Sequence, residues 1–160
     1  MKTLEDRRVE AELGRVCEHM TRDVIEISAS DSLAHSVRKL KSADVSGAPV
    51  VAEDGHVVGV VTLTDLFSIM KHPAVTADTG PFLRRENTLG ELAVRMGLRV
   101  RDVMSRDPVT VDAYAPLVTA AHLMVSHGVN RLPVVDENGR VHGIITRDDL
   151  VEAVARAAQG

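Results

Sequence analysis

Hydrophobic positions recur along the chain in two sets of the same order. The first opens with Val24 to Ile27, a short run that predicts a strand. Ser30-Asp31-Ser32 then offers an N-cap. Leu33, Val37 and Leu40 follow at i, i+4 and i+7, the spacing of a one-faced helix. Two β-rich runs, Pro49 to Ala52 and Val57 to Val61, flank Asp54-Gly55, and a helical pattern returns over Leu63 to Met70. The second set opens with Val109-Thr110-Val111. Pro116 begins its first helix, where a missing N–H costs nothing, and Leu117, Ala121 and Met124 form the stripe. Leu132 to Val135 and Val141 to Ile145 flank Asn138-Gly139, and Arg147 to Ala158 predicts the last helix. Asp-Gly and Asn-Gly predict tight hairpins with both turn residues at positive φ. Each set therefore predicts strand, helix, strand, strand, helix.

The two sets are one sequence used twice. Gly59-Val60-Val61-Thr62-Leu63-Thr64-Asp65-Leu66 stands against Gly143-Ile144-Ile145-Thr146-Arg147-Asp148-Asp149-Leu150, an offset of 84 residues. The offset holds without a gap back to Met20 and Met104. It pairs Pro49-Val50-Val51 with Pro133-Val134-Val135, Gly55 with Gly139, Asp23 with Asp107, and Leu33 with Leu117. Such a register marks a duplicated structural unit. Val16 to Met20 and Val100 to Met104 read as matching helical lead-ins to the two copies.

Two stretches lie outside the duplication. Residues 3 to 19 predict a helix with Leu4, Val9, Leu13, Val16 and Met20 roughly on one side. It serves either as a dimer or partner surface or as a helix lying on its own domain. Lys71 to Arg99 breaks the pattern with His72-Pro73 and Gly80-Pro81. We expect a surface linker over 72–86 and a short helix over 88–96, carried by Leu89, Leu92, Ala93 and Met96, ended by Gly97 and docked on the second copy. The resulting boundaries are 1–15 for the N-terminal helix, 16–71 for repeat 1, 72–99 for linker and inserted helix, and 100–160 for repeat 2.

Composition narrows the chemistry. A net charge of -4 and only three aromatic residues, Phe67, Phe82 and Tyr114, argue against nucleic acid, which needs basic surface and, for single strands, stacking rings. The core must be built from Val, Ile, Leu, Ala and Met. Cys17 is alone, so no disulfide framework exists and a reducing, cytoplasmic setting fits. Met1 to Arg8 is charged and unlike a signal peptide, and no apolar run approaches the roughly 20 residues of a membrane span. The seven histidines, His19, His35, His56, His72, His122, His127 and His142, show no metal-ligand spacing, so no metal site is expected. No nucleophile elbow, P-loop or Cys–His pattern appears, and an enzyme is not expected.

The ordered set of motifs resembles a tandem pair of cystathionine β-synthase (CBS) domains, the Bateman module. The carrying residues are Val100-Arg101-Asp102-Val103-Met104 with Asp107-Pro108-Val109, Asn130-Arg131-Leu132-Pro133-Val134-Val135-Asp136, and Gly143 to Asp149. Copy one adds Val45-Ser46-Gly47-Ala48-Pro49-Val50-Val51 and Gly59 to Asp65. The resemblance covers roughly 16–70 and 100–157. It implies an α+β fold of two βαββα repeats packed through their sheets around a pseudo-two-fold, often dimerising, with clefts that bind AMP, ADP, ATP or S-adenosylmethionine. It further implies a regulatory module acting on an effector protein or on its own homodimer, with no catalytic cofactor. A ligand-independent dimerisation scaffold is the alternative.

The resemblance gives Thr62 and Thr146 to phosphate and Asp65 and Asp149 to ribose. A helix start suits an anion, because its first amides lack internal partners and carry the positive end of the helix dipole. A carboxylate accepts two bonds from a diol. Thr64 adds a hydroxyl where the second copy has Asp148. The same T-x-x-D spacing is also that of a capping box, which binds nothing. Ile25, Val45 and Ala48, and Val109, Val129 and Leu132, are candidate aliphatic walls for adenine; each is also a core candidate, and Val129 and Leu132 read first as core. Ser46 and Asn130 stand beside the strand starts. Arg131, whose planar fork suits phosphate, has Gly47 as its counterpart, so asymmetric binding is expected.

Overall fold

The computed structural model describes residues 3–68 and 97–159. The expected linker 72–86, the expected helix 88–96 and the last two residues of the helix expected over Leu63 to Met70 lie outside them. The described chain divides into two compact units, Ile25–Asp107 and Met1–Val24 with Pro108–Gly160.

In Ile25–Asp107 the strands β1 (Ile27–Ser28), β2 (Gly47–Val51), β3 (Val57–Thr62) and β4 (Ser105–Arg106) form one sheet in that order. β1 is parallel to β2, and the other pairings are antiparallel. Helices α2 (Leu33–Ser42), α3 (Leu63–Ser68) and α4 (Val100–Val103) accompany the sheet. The Ser32 side chain caps α2 by accepting from the amide of His35. Ile27, Leu33, Leu40, Ala48, Val50, Val61 and Val100 form the core. Val24 to Ile27 was expected to be the first strand; pairing begins only at Ile27, where Val50 supplies a partner.

The second unit opens with α1 (Leu4–Leu13) and a 3-10 turn at Val16–Glu18. Its sheet is β5 (Val111–Asp112), β6 (Arg131–Val135) and β7 (Val141–Thr146), with α5 (Leu117–His127) and α6 (Arg147–Ala157). Here too pairing starts late, at Val111 rather than Val109. The core joins Val16 and Met20 to Leu117, Ala120, Met124, Leu132, Val134 and Ile145.

Three expectations give way to local physics. The helix expected over 3–19 stops at Leu13, because Gly14 takes φ +74, a left-handed conformation that ends a helix cheaply. In the hairpins only Gly55 (φ 87) and Gly139 (φ 71) are left-handed; Asp54 and Asn138 are not. The amide of Ala52 reaches the carbonyl of His56, and Gly55 closes back on Ala52, which makes a three-residue loop ending in a glycine bulge. Asp136, Gly139 and Arg140 repeat that loop. Last, each lead-in packs in the unit of the other repeat. Val16 and Cys17 donate to the carbonyls of Ala115 and Ala113, while Val100 and Arg101 donate to those of Asp31 and Ala29.

Candidate functional site: the paired threonine–aspartate caps

Each hairpin delivers a threonine to the start of a helix. Thr62 ends β3 and Thr146 ends β7. The Thr146 amide and hydroxyl both donate to Oδ2 of Asp149, at 2.7 and 2.8 Å, and the Asp149 amide returns a bond to the Thr146 hydroxyl at 3.4 Å. Thr62 and Asp65 make the same three bonds at 2.6, 2.8 and 3.3 Å. Both motifs are thus reciprocal capping boxes, which satisfy amides that a helix start leaves bare. The first amide of each helix is also taken: Leu63 donates to Ser46 and Arg147 to Asn130, each at 2.9 Å.

These bonds decide what each group has left. Both threonine hydroxyl hydrogens are committed to carboxylates, so a phosphate would have to displace that bond to be received there. Among the described residues nothing bonds Oδ1 of Asp149, which leaves an acceptor facing away from the cap. Asp65 engages a further interaction besides its cap. The amide of Asp148, second in α6, has no acceptor among the described residues.

Cross-strand register sets what stands beside each threonine. Arg131 lies directly opposite Thr146, and Gly47 opposite Thr62. Directly opposed residues share one face of a sheet. A guanidinium stem therefore borders one cap and bare backbone the other. Arg131 Nε donates to the Asn130 carboxamide at 3.2 Å, and the residue has a further partner. Arg147, absent from the sequence-predicted site, adds a second cation at the first position of α6, and its mismatch with Leu63 at the same position of copy one is the signal that marks it.

Ile25, Val45, Ser46, Ala48, Thr62, Thr64 and Asp65 fall in one unit, and Val109, Val129, Asn130, Arg131, Leu132, Thr146, Asp148 and Asp149 in the other. Ser46, Thr64, Asn130 and Asp148 are exposed, and Ile25 and Val109 are half-buried against their cores. Ala48 and Leu132 are fully buried core residues and present no wall to a ligand. They sit on β2 and β6, interior strands with consecutive buried positions, where alternation of faces gives no guide. Val129, which read as core, is instead 37% exposed, and Val45 is 39% exposed. Their amides close the ends of α5 and α2 onto Met124 and Leu40. This is a Schellman closure, which draws an apolar residue to that position.

Among the described residues no group of three His, Cys, Asp or Glu side chains could hold a metal ion, and no helix is long and apolar enough to cross a membrane. Asp54 and Asp136 are held below the ordinary carboxylate value by the amides of His56 and Arg140, and both lie on hairpin loops away from the caps.

The family model described as CBS domain matches residues 13–72 and 100–156. An uncharacterized protein of Methanocaldococcus jannaschii, MJ1426, is 32% identical over 148 residues, covering 81% of this chain and 85% of that one. A CBS domain-containing protein of Dictyostelium discoideum is 30% identical over 142 residues, covering 88% and 90%. The crystal structure of CBSX2 of Arabidopsis thaliana in complex with AMP aligns with a TM-score of 0.69 at 27% identity, covering 89% of this chain and 97% of that one.

Proposed function

The chain belongs to the CBS domain family, and we propose that it is a regulatory module that binds an adenosine derivative. The observation that carries this reading is the likeness to CBSX2, whose structure holds AMP. The local chemistry supports it. Asp149 keeps one carboxylate oxygen for a ribose hydroxyl. Arg131 and Arg147 bring two cations beside the same cap, suited to a phosphate through charge-assisted bonds. Val109 and Val129 offer apolar surface in that repeat for a base that has no ring to stack on.

In this reading AMP is the first ligand to test, with ADP, ATP and S-adenosylmethionine behind it. The N-terminal cap, bordered by Gly47 and Leu63, lacks the cations and holds phosphate less well. Ligand binding shifts the module between arrangements that differ in affinity for it, and so alters an effector protein or the module's own homodimer. The module itself performs no catalysis, and a cytoplasmic setting fits its single cysteine.

A second reading is a scaffold that dimerises without ligand. What favours it is that both Thr–Asp motifs are capping boxes closed by the chain's own groups. Thermal denaturation against a panel of adenosine compounds separates the two. A ligand that binds the folded state at a hundred times its Kd stabilises by about 2.7 kcal/mol. The sensing reading expects such a rise with at least one compound at millimolar concentration; a flat panel leaves the scaffold.

A further inference from the structure

We infer that the two lead-ins are exchanged straps: each repeat is completed by the segment that precedes the other, and neither repeat is a folding unit within its own sequence boundaries. The repeat formed by residues 108–159 takes its plug from residues 14–21. Val16 is fully buried there and Met20 nearly so, in a core with Leu117, Leu132 and Ile145. The backbone is clamped along the whole segment. Leu117 donates to Gly14, Val16 to Ala115, Cys17 to Ala113, and Thr21 and Ile144 exchange a pair of bonds at 2.9 Å.

The repeat formed by residues 25–68 takes the corresponding plug from residues 98–106. Val100 is fully buried against Ile27, Leu33 and Val61. Val100 donates to Asp31 and Arg101 to Ala29, and Ser105–Arg106 add a strand to β3. Both straps end the same way. Arg22 folds back to the carbonyl of Cys17 at 3.2 Å, and Arg106 to that of Arg101 at 3.1 Å.

Two glycines are shaped to receive the straps. A Cβ on Gly143 would lie 2.7 Å from the Met20 sulfur and 2.8 Å from the Thr21 carbonyl oxygen. A Cβ on Gly59 would lie 2.7 Å from both the Met104 sulfur and the Ser105 carbonyl oxygen. Plug, clamp, guanidinium tie and receiving glycine recur in both units, so the exchange is a built feature. Each strap runs on through a few residues into the repeat that it precedes: Thr21 lies six residues before Ile27, and Arg106 five before Val111. Each strap is thus covalently continuous with one repeat while its buried side chains and backbone bonds belong to the other.

Hydrogen exchange on the full chain, under conditions where exchange follows the opening equilibrium, tests this. Val16→Ala removes two buried methyl groups next to the N-terminal repeat in sequence. It should raise exchange across β5, β6 and β7 by about tenfold to a hundredfold and leave β1, β2 and β3 unchanged. Val100→Ala should do the reverse. Arg22→Ala and Arg106→Ala, which cut only an exposed tie and keep the fold, should give the same crossed pattern at about threefold. Loosening of the repeat that follows each strap in sequence, equal loosening of both, or no change in either overturns the inference.

Discussion

The N-terminal and C-terminal repeats build the same threonine–aspartate cap, with corresponding distances agreeing within 0.1 Å, on different surroundings. Beside one cap stand Gly47, Leu63 and Thr64; beside the other stand Arg131, Arg147 and Asp148. The cap is made of backbone amides and short side chains, so folding alone fixes it in both copies. Charge around it is not needed for folding and is free to differ. Substitutions that touch the shared scaffold should therefore act alike in the two repeats. Those that touch the differing charges should act in one.

The largest effect belongs to the scaffold. Gly59→Ala and Gly143→Ala each drive a methyl group into a backbone carbonyl oxygen that cannot rotate away. Overpacking of this kind costs about 2–3 kcal/mol, which at 2–4 °C per kcal/mol lowers Tm by about 4–12 °C. Both variants should fall in that range in a melting experiment. A large drop for one and none for the other would break the equivalence of the two strap contacts.

Arg131→Ala sharpens the comparison from the other side. Losing a charge-assisted bond to phosphate weakens binding by about tenfold to a hundredfold, while the folded state changes by less than about 0.5 kcal/mol because the side chain is not in the core. Calorimetry with AMP and with adenosine reads the effect. Affinity for AMP should fall and that for adenosine should hold. Equal loss for both assigns Arg131 to something other than phosphate, and Gly47→Arg in the N-terminal repeat should not mimic its removal.

The order of elements was legible because a period of two or of three to four survives in each repeat, and because an offset of 84 residues held across both. The T-x-x-D spacing was legible as a capping box, and that geometry is present in both copies. What the pattern could not carry was partnership. The apolar face of Val16 and Met20 says that the segment is buried, not which core receives it, and sequence proximity pointed to the wrong neighbour. Ala48 and Leu132 show a related limit: an interior strand buried on both faces has no outward positions, so alternation cannot tell a wall from a core residue. Val129 went the other way, since its apolar character serves a helix end rather than a core.

A smaller contrast sits at the ends of α2 and α5. Asp44 (φ 53) and Gly128 (φ 65) hold the same left-handed position, with the same closing bonds from Val45 to Leu40 and from Val129 to Met124. Glycine takes that conformation freely and aspartate does not. Gly128→Ala should cost about 1 kcal/mol and Asp44→Gly should gain about 0.5 kcal/mol in urea denaturation at unchanged m-value. A loss on Asp44→Gly would mean that the aspartate side chain stabilises the loop by more than its backbone costs.

The smallest effect concerns the hairpin loops, where the repeats place a carboxylate at different positions. Asp54 accepts from the amide of His56 and pairs with its ring at 3.0 Å. Asp136, aligned with Ala52 rather than with Asp54, accepts from the amides of Arg140 and Asn138. The His56 amide, then its ring, holds Asp54 below 3.8, and the Arg140 amide does the same for Asp136. A carboxylate whose folded value is depressed stabilises the fold above the ordinary value and loses that contribution as pH falls through the folded one. Both loops should therefore weaken only below about pH 4, by little, since neither group is buried. Carboxyl NMR titration should give two midpoints under 3.8, with added salt raising both, because His56 lies beside Asp54 and Arg140 and His142 beside Asp136 as charges. No salt dependence in either would assign both shifts to backbone amides alone.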